Sequence, residues 1–387
     1  MILGRTAPQW AARKAVFTAE EIAQQPAVWK KTIGQIAAVR AELDKFIANV
    51  TTQPDFDVIL TGAGTSEYVG NALAPALFIP YNGHVFSFGT TDIVATPRAY
   101  LSLQKPTLLV SFARSGNSPE SLGAVAAADA VCENVWHLFI TCNAEGALAK
   151  AAAARGNCFS VVLAPETNDR GFAMTSSFTS MYLAALSAFL PQREAALAAV
   201  CAASERFLET GYEKLRAIVD GFPFERIVYL GTDVLKGVAQ ESALKMLELT
   251  GGRVTAIFDT PMGFRHGPKS ILDSRTLTVV YLSDEPSTRR YETDLLRELR
   301  RDQKGGRLLA VGNRRDEAAL KLCDVYLNLE SGAELTNALL APLYIGAAQC
   351  LALFRSLSLG VTPDDPCPTG EVNRVVKGVA IYPVEEK

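Results

Sequence analysis

Three landmarks recur along this 387-residue chain at a nearly constant spacing, and that recurrence constrains the fold more than any other feature. The pattern G-T-x-x-x-x-G occupies Gly64–Gly70 and returns at Gly231–Gly237, 167 positions on. The run Thr107-Leu108-Leu109-Val110-Ser111 is matched 169 positions on by Thr276-Leu277-Thr278-Val279-Val280. Thr141-Cys142-Asn143 is matched 170 positions on by Val311-Gly312-Asn313. A layout repeated in this way is one arrangement of elements used twice. The short runs Asp57–Leu60, Val85–Phe88, Thr107–Ser111, His137–Thr141 and Phe159–Leu163 lack polar alternation, and most alternate with helical segments. That pattern belongs to parallel strands covered on both faces. The expected fold class is α/β, with two doubly wound parallel-sheet domains over 51–200 and 215–361 and a boundary in the helical stretch 195–222. A helical arm over 1–50 precedes them; Thr18-Ala19-Glu20-Glu21 reads as its capping box, and Pro26 breaks or restarts it. The tail over 362–387 opens Thr362-Pro363-Asp364-Asp365-Pro366-Cys367-Pro368 and is expected to lie extended on the surface.

Composition removes several classes of function. The chain is 49% apolar and 20% charged, ordinary for a globular protein with sizeable cores. Its net charge of −3 and the lack of a basic stripe interleaved with aromatics argue against a nucleic-acid partner. Seven scattered cysteines without C-x-x-C spacing are expected to be free thiols in a reducing compartment. Met1–Ala19 lacks the apolar core of a signal peptide, and no uninterrupted apolar stretch approaches the ~18 residues of a membrane helix. A cytoplasmic protein without membrane association is expected. No His/Cys/Asp/Glu group has metal-ligand spacing, no G-x-S-x-G elbow occurs, and neither a Walker nor a complete dinucleotide glycine pattern is present. Neither a metal nor another cofactor is expected.

The two halves differ where ligands bind in open α/β sheets, at the carboxyl ends of the strands. In the first half, Gly62-Ala63-Gly64-Thr65-Ser66 and Ala113-Arg114-Ser115-Gly116-Asn117-Ser118 are glycine-punctuated and rich in hydroxyls. Free N–H groups of such turns, at helix N-termini, suit phosphate. Ser66, Ser115 and Ser118 add hydroxyls, while Gly64 and Gly116 allow close backbone approach. Thr175-Ser176-Ser177 forms a third cluster. Ser and Gly also simply make turns, but two such loops in register at a sheet edge favour phosphate. In the second half, Asp284 stands opposite Ser115 and Glu285 opposite Gly116, and two carboxylates there would repel an anion.

The second half offers different chemistry. Glu241, Lys245 and Glu248 fall at i, i+4 and i+7, one face of a helix. Glu241 with Lys245 reads as a helix salt bridge, and Glu248 is either a solvated carboxylate or a functional one. Downstream, Gly263-Phe264-Arg265-His266-Gly267-Pro268 places one of only three histidines in a loop, where it is structural or functional. His84 and His137, beside strands, read as structural.

These residues bring a family into view. Gly64-Thr65-Ser66, Ser115-Gly116-x-Ser118, Glu241-x-Ala243-Leu244-Lys245-x-x-Glu248 and His266-Gly267-Pro268 resemble the tandem sugar-isomerase (SIS) domains of glucosamine-6-phosphate synthase. The likeness spans nearly the whole chain without the glutaminase half, which implies chemistry in the degrading direction. Ser111–Ser121 and Ala173-Met174-Thr175-Ser176-Ser177-Phe178 look most like the AgaS group, galactosamine-6-phosphate deaminase/isomerases also called tagatose-6-phosphate ketose/aldose isomerases. The resemblance implies two flavodoxin-like SIS domains acting on an amino-sugar phosphate. It implies Gly64, Thr65, Ser66, Ser115, Gly116 and Ser118 as phosphate-binding positions, Glu248 as the base working between C1 and C2, and Lys245 near the reacting carbons. It implies His266 as the ring-opening residue, reaching across from a neighbouring subunit in the synthase and so requiring a homodimer or higher. Asn373-Arg374-Val375-Val376-Lys377 resembles the segment whose lysine, here Lys377, closes over the sugar. Arg114, Thr175, Ser176 and Glu241 are further substrate-contact candidates. Ala113 replaces a hydroxyl residue of the synthase loop and Ser176 a lysine, so sugar recognition is expected to differ. A plain ketose/aldose isomerase and a non-catalytic sugar-phosphate sensor are the alternative readings.

Overall fold

The computed structural model describes residues 1–384 apart from 303, 305, 375 and 377. Five strands, β1 (Asp57–Gly62), β2 (Val85–Gly89), β3 (Thr107–Ala113), β4 (Val135–Thr141) and β5 (Cys158–Val162), form one parallel sheet in the order β2-β1-β3-β4-β5. Five more, β6 (Arg226–Leu230), β7 (Thr255–Asp259), β8 (Thr276–Tyr281), β9 (Arg307–Gly312) and β10 (Val325–Asn328), form a second, in the order β10-β9-β8-β6-β7. Helices cover both faces of the sheets, and every residue of β1, β3 and β8 is buried, so their middles are apolar runs such as Val58–Leu60 and Leu108–Val110. In both sheets the chain reverses its winding direction beside the first strand, between β1 and β3 and between β6 and β8. Such a switch point leaves a crevice at the carboxyl ends of the two strands.

The chain divides into two compact units that are not contiguous in sequence. One comprises Met1–Pro26, Arg170–Thr175 and Gln192–Gly370; the other comprises Ala27–Asp169, Ser176–Pro191 and the chain from Glu371 onward. The helical arm expected over 1–50 is therefore shared out at Pro26, which sits near the start of the Gln25–Ala38 helix and restarts the arm. The capping box expected at Thr18 does not form. The Val16–Ala23 helix begins before Thr18, its N-cap Ala15 makes no side-chain bond, and the polar residues serve other segments. Thr18 donates through its amide and hydroxyl to Asp364, each at 2.8 Å, and Glu21 accepts from the amides of Arg170 and Gly171. In the other unit, Trp29 Nε1 donates to Thr179 Oγ1 at 2.8 Å.

One helix reaches membrane length without an uninterrupted apolar run. Asn337–Ser358, 22 residues, is long and apolar enough to cross a bilayer, yet nearly all of it is buried inside the protein. Pro342, Tyr344 and Gln349 interrupt its apolar run, which is why the run falls short in the sequence. All seven cysteines are free, and six are buried.

The loops after β1 and β6 equate differently from the sequence pattern. Gly64 has φ 55° and ψ −124° and immediately precedes the Thr65–Phe78 helix. Asp233 has φ 59° and ψ −131° and immediately precedes the Val234–Leu249 helix. Gly62 and Gly231 likewise share one constraint: a Cβ on Gly62 would lie 2.4 Å from the Ser66 backbone, and one on Gly231 2.2 Å from the Leu235 carbonyl oxygen. The correspondence is therefore Gly62-Ala63-Gly64 with Gly231-Thr232-Asp233, two residues from the match of the G-T patterns and at the spacing of β3 and β8. A non-glycine residue in that region is strained, and such strain gathers at ligand sites and switch regions.

Candidate active site

In the unit holding β1–β5, the register places Thr61 beside Ser111, so the loops leaving β1 and β3 flank the switch point. Gly64-Thr65-Ser66 opens the Thr65–Phe78 helix, with Thr65 and Ser66 buried and Gly64 exposed. The second loop is shaped by Gly116 at φ 67° and tied down from its neighbour: Asn143 Nδ2 donates to the Ser115 carbonyl at 2.8 Å, and the Ala147 amide donates to Asn117 Oδ1 at 2.9 Å. Gly146 permits this approach, since its Cβ would stand 2.6 Å from the Ser115 carbonyl oxygen. Ser118 is the N-cap of the Pro119–Val131 helix, accepting from the Ser121 amide and donating to Ser121 Oγ at 2.6 Å. Two helix N-termini thus converge on one switch point, an arrangement that concentrates amide donors and positive dipole ends on an anion.

The third hydroxyl cluster has a carboxylate partner that sequence reasoning missed. Asp169 is buried and accepts from Ser176 Oγ, from the Ser177 amide at 2.9 Å and from Ser177 Oγ at 2.6 Å, fastening the first turn of the Ser176–Phe189 helix. Its carbonyl accepts from Arg374 Nε at 3.0 Å, and the Arg374 carbonyl accepts from Arg114 Nη2 at 2.7 Å. Arg114 and Ser176 are thereby engaged in structure, and Thr175 passes its carbonyl to Gln349 Nε2 at 3.3 Å. Lys377 lies outside the described residues.

In the unit holding β6–β10, the Val234–Leu249 helix carries a charged row that is not a solvent face. Lys245 is fully buried, with its ammonium 3.3 Å from Glu241 Oε1 and in contact with Glu248 Oε2. Glu241 is also fully buried, whereas the Glu248 side chain keeps 24% exposure. Burial works against the lysine charge, but Glu241 and Glu248 together hold its pKa above the ordinary value. The result is a row of three charged residues in which only Glu248 reaches outward.

His266 is exposed, at the end of a 3₁₀ turn (Gly263–Arg265) that follows β7. Phe264, fully buried in the core under β6 and β8, pins that turn. Arg265 Nε donates to Glu298 at 2.7 Å, and Lys269 pairs with Glu298 and Asp302, so the residues on both sides of His266 are clamped to the Pro286–Asp302 helix. The other two histidines are structural: His137 is buried with Nε2 2.9 Å from Asp129, and His84 stands 3.9 Å from Asp57.

The loop after β8 is closed by its own charges rather than open and repelling. Asp284 accepts from Asn313 Nδ2 at 2.7 Å and pairs with Arg314 at 3.4 Å and Arg289 at 3.6 Å. Behind it, fully buried Glu292 accepts from the Ser283 amide at 2.8 Å, so a side-chain carboxylate occupies a loop amide that an anion would otherwise take. Burial pushes the Glu292 carboxyl up to about 7, against the Ser283 amide and Arg289. A carboxyl raised in the fold contributes fully below its unfolded value near 4.5 and loses that contribution as pH rises to about 7. Glu292→Gln is therefore expected to change stability little at pH 4 and to stabilise at pH 8 by up to about 3 kcal/mol; equal shifts at the two pH values would refute this.

Among the described residues, no group of three or more His, Cys, Asp or Glu side chains could hold a metal ion. No family model matches the chain. A D-galactosamine-6-phosphate deaminase AgaS of Shewanella sp. (strain ANA-3) is 42% identical over 372 residues, covering 95% of this chain and 92% of that protein. A D-galactosamine-6-phosphate deaminase AgaS of Escherichia coli is 41% identical over 375 residues, covering 96% and 97%. Among solved structures, a tagatose-6-phosphate ketose/aldose isomerase from Escherichia coli aligns with a TM-score of 0.90 at 38% identity, covering 99% of each chain.

Proposed function

The chain belongs to the AgaS family of D-galactosamine-6-phosphate deaminases, and from that premise we propose that it converts D-galactosamine 6-phosphate and water to D-tagatose 6-phosphate and ammonia. The observation that carries this reading is the Glu241-Lys245-Glu248 row, in which Glu241 and Lys245 are fully buried and Glu248 alone presents a carboxylate outward. Such a carboxylate suits proton transfer between adjacent carbons of a sugar.

The loops at Gly64–Ser66 and Ser115–Ser118 hold the phosphate, far along the substrate from its reacting carbons, so that remote binding energy positions C1 and C2. His266 opens the pyranose by moving a proton between O1 and the ring oxygen. Glu248 removes the C2 proton of the open-chain aldehyde while O1 gains one, giving an enolamine; returning the proton to C1 gives the C2 imine. Water adds to C2, and ammonia leaves with the C2–N bond, which makes the overall reaction a hydrolysis of carbon–nitrogen. Lys245, enclosed and committed to both carboxylates, orients Glu248. No step in this sequence draws on a cofactor, and the shared His266 calls for at least a dimer.

A plain ketose/aldose isomerase would use the same base, and the similarity to a structure of that name favours it as the second reading. Ammonia release separates them. Purified protein given galactosamine 6-phosphate is expected to release one ammonia per ketose phosphate formed. Isomerisation of a sugar phosphate lacking nitrogen, with no ammonia from the amino sugar, would reverse the choice.

A further inference from the structure

A second basic site lies in the unit that contains β6–β10, and it shares no residue with Glu241, Lys245, Glu248 or His266. It is a polar cavity of about 380 Å³ into which Arg5, Arg13 and Arg216 converge, with Gln9 and Asp220 at its wall and Phe354 on one side. The three guanidinium groups come from separate segments: the N-terminal turn, the chain after the first short helix (Ala7–Ala11), and the Tyr212–Gly221 helix.

The N-terminal segment is built to present Arg5. Ile2 and Arg5 exchange backbone hydrogen bonds at 2.9 and 3.0 Å, across a turn whose central residues Leu3 and Gly4 have φ 46° and 76°. Trp10 Nε1 donates to the Ile2 carbonyl at 2.9 Å, and the Arg5 guanidinium lies over the Trp10 ring at 5.5 Å. Gly4 lets this turn close on the neighbouring helix, since a Cβ there would lie 2.8 Å from Tyr212 Oη and 3.1 Å from Arg216 Nη1. Held this way, Arg5 has a buried Nε that makes no hydrogen bond. A buried donor left without a partner is costly and rare in native proteins, unless a ligand or water supplies one. Burial, then the charges of Arg13 and Arg216, lower the Arg5 pKa, with Asp220 opposing. Asp220 stands 4.0 Å from Arg216, so one carboxylate faces three cations and the cavity retains about two positive charges.

We infer that this cavity binds a phosphate monoester or inorganic phosphate, at a site separate from the substrate-phosphate loops. Two net positive charges match a phosphate dianion, and guanidinium forks suit its oxygens. The volume falls within the range that encloses a small organic ligand as well as the bare ion. The inference is independent of the reaction proposed above.

Calorimetric titration of the full chain with inorganic phosphate tests it. Wild type is expected to bind two phosphates per chain, and Arg5→Gln/Arg216→Gln to bind one, with unchanged ammonia release from galactosamine 6-phosphate and unchanged far-ultraviolet circular dichroism. Exposed Arg13, changed alone to Gln, is expected to weaken the second site by roughly tenfold, the loss of one charge-assisted contact; this variant decides the matter if the double variant does not fold. Ser66→Asp, which blocks the loop assigned to the substrate, is expected to leave the arginine site intact, so the two readings fail separately. Titrating Ser66→Asp with tagatose 6-phosphate then identifies the source: tighter binding than phosphate assigns a sugar phosphate, and equal or weaker binding assigns the free ion. One phosphate per wild-type chain overturns the inference, as does an Arg13→Gln titration that matches wild type. Altered sedimentation of the arginine variants together with one phosphate per wild-type chain also overturns it, because a partner's carboxylate would then fill the cavity.

Discussion

Glu248→Gln is expected to lower kcat by roughly 10²- to 10⁴-fold, the usual contribution of a positioned general base, while KM for galactosamine 6-phosphate moves by less than about threefold. The amide keeps the shape and the hydrogen bond to Lys245 but cannot take a proton from C2. Lys245 retains Glu241 at 3.3 Å, so the variant is expected to fold normally. Inorganic phosphate binding is expected to survive, because the groups proposed for it, Ser66 and Ser115 among them, lie in the other compact unit. This split between lost turnover and retained binding is what a base predicts. A solvated surface carboxylate predicts the opposite, a variant indistinguishable from wild type in kcat. Hydrogen–deuterium exchange at C2 in D₂O gives a second readout, since it reports proton removal whether or not ammonia later leaves. Exchange that persists in Glu248→Gln at the wild-type rate would remove Glu248 from the mechanism.

What could be read from the sequence follows from which interactions are local. The strands were legible because a parallel sheet covered on both faces needs continuous apolar runs, and Val58–Leu60 or Leu108–Val110 cannot serve an amphipathic helix as well. The spacing of Glu241, Lys245 and Glu248 gave their shared helix face, since a helix repeats every 3.6 residues. Burial was another matter. Charges at i, i+4 and i+7 have the appearance of a solvent face, and only tertiary packing makes Lys245 and Glu241 fully enclosed. Asp169 was missed for a related reason: it reaches Ser176 and Ser177 across an irregular segment, for which no periodicity exists. The pairing of Asp284 with Arg314 depends on adjacent strands bringing distant loops together, and an isolated reading of Asp284-Glu285 saw only repulsion. The two-residue slip between the repeated loops has its own cause. Matching G-T to G-T follows residue identity, whereas the backbone fixes the strained position before the helix, and Asp233 holds there a conformation that normally selects glycine.

The largest effect on stability is expected at Lys245. Lys245→Met fills the same volume with an apolar side chain, yet it removes the ammonium 3.3 Å from Glu241, whose carboxylate is fully buried. Breaking a buried pair from one side costs about 3–5 kcal/mol, because the remaining group loses the opposite charge that offset its burial. For a domain of this size, each kcal/mol moves the melting temperature by about 2–4 °C, so a drop of roughly 6–20 °C is expected by calorimetry. The pH dependence identifies the cause. Without the Lys245 ammonium beside it, burial would raise the Glu241 pKa, so the folded state would bind a proton that the unfolded state releases, and the deficit would shrink as pH is lowered. Scans of Lys245→Met at pH 8 and pH 5.5 should therefore show the larger loss at pH 8. Adding Glu241→Gln removes the buried acidic group that Lys245 offset, and Lys245→Met/Glu241→Gln is expected to recover more than half of the lost stability without recovering activity, since Glu248 would still lack the ammonium that orients it. A double variant no more stable than Lys245→Met would mean that packing, not charge, sets the cost. The role assigned to Lys245 would then have to rest on its contact with Glu248 alone.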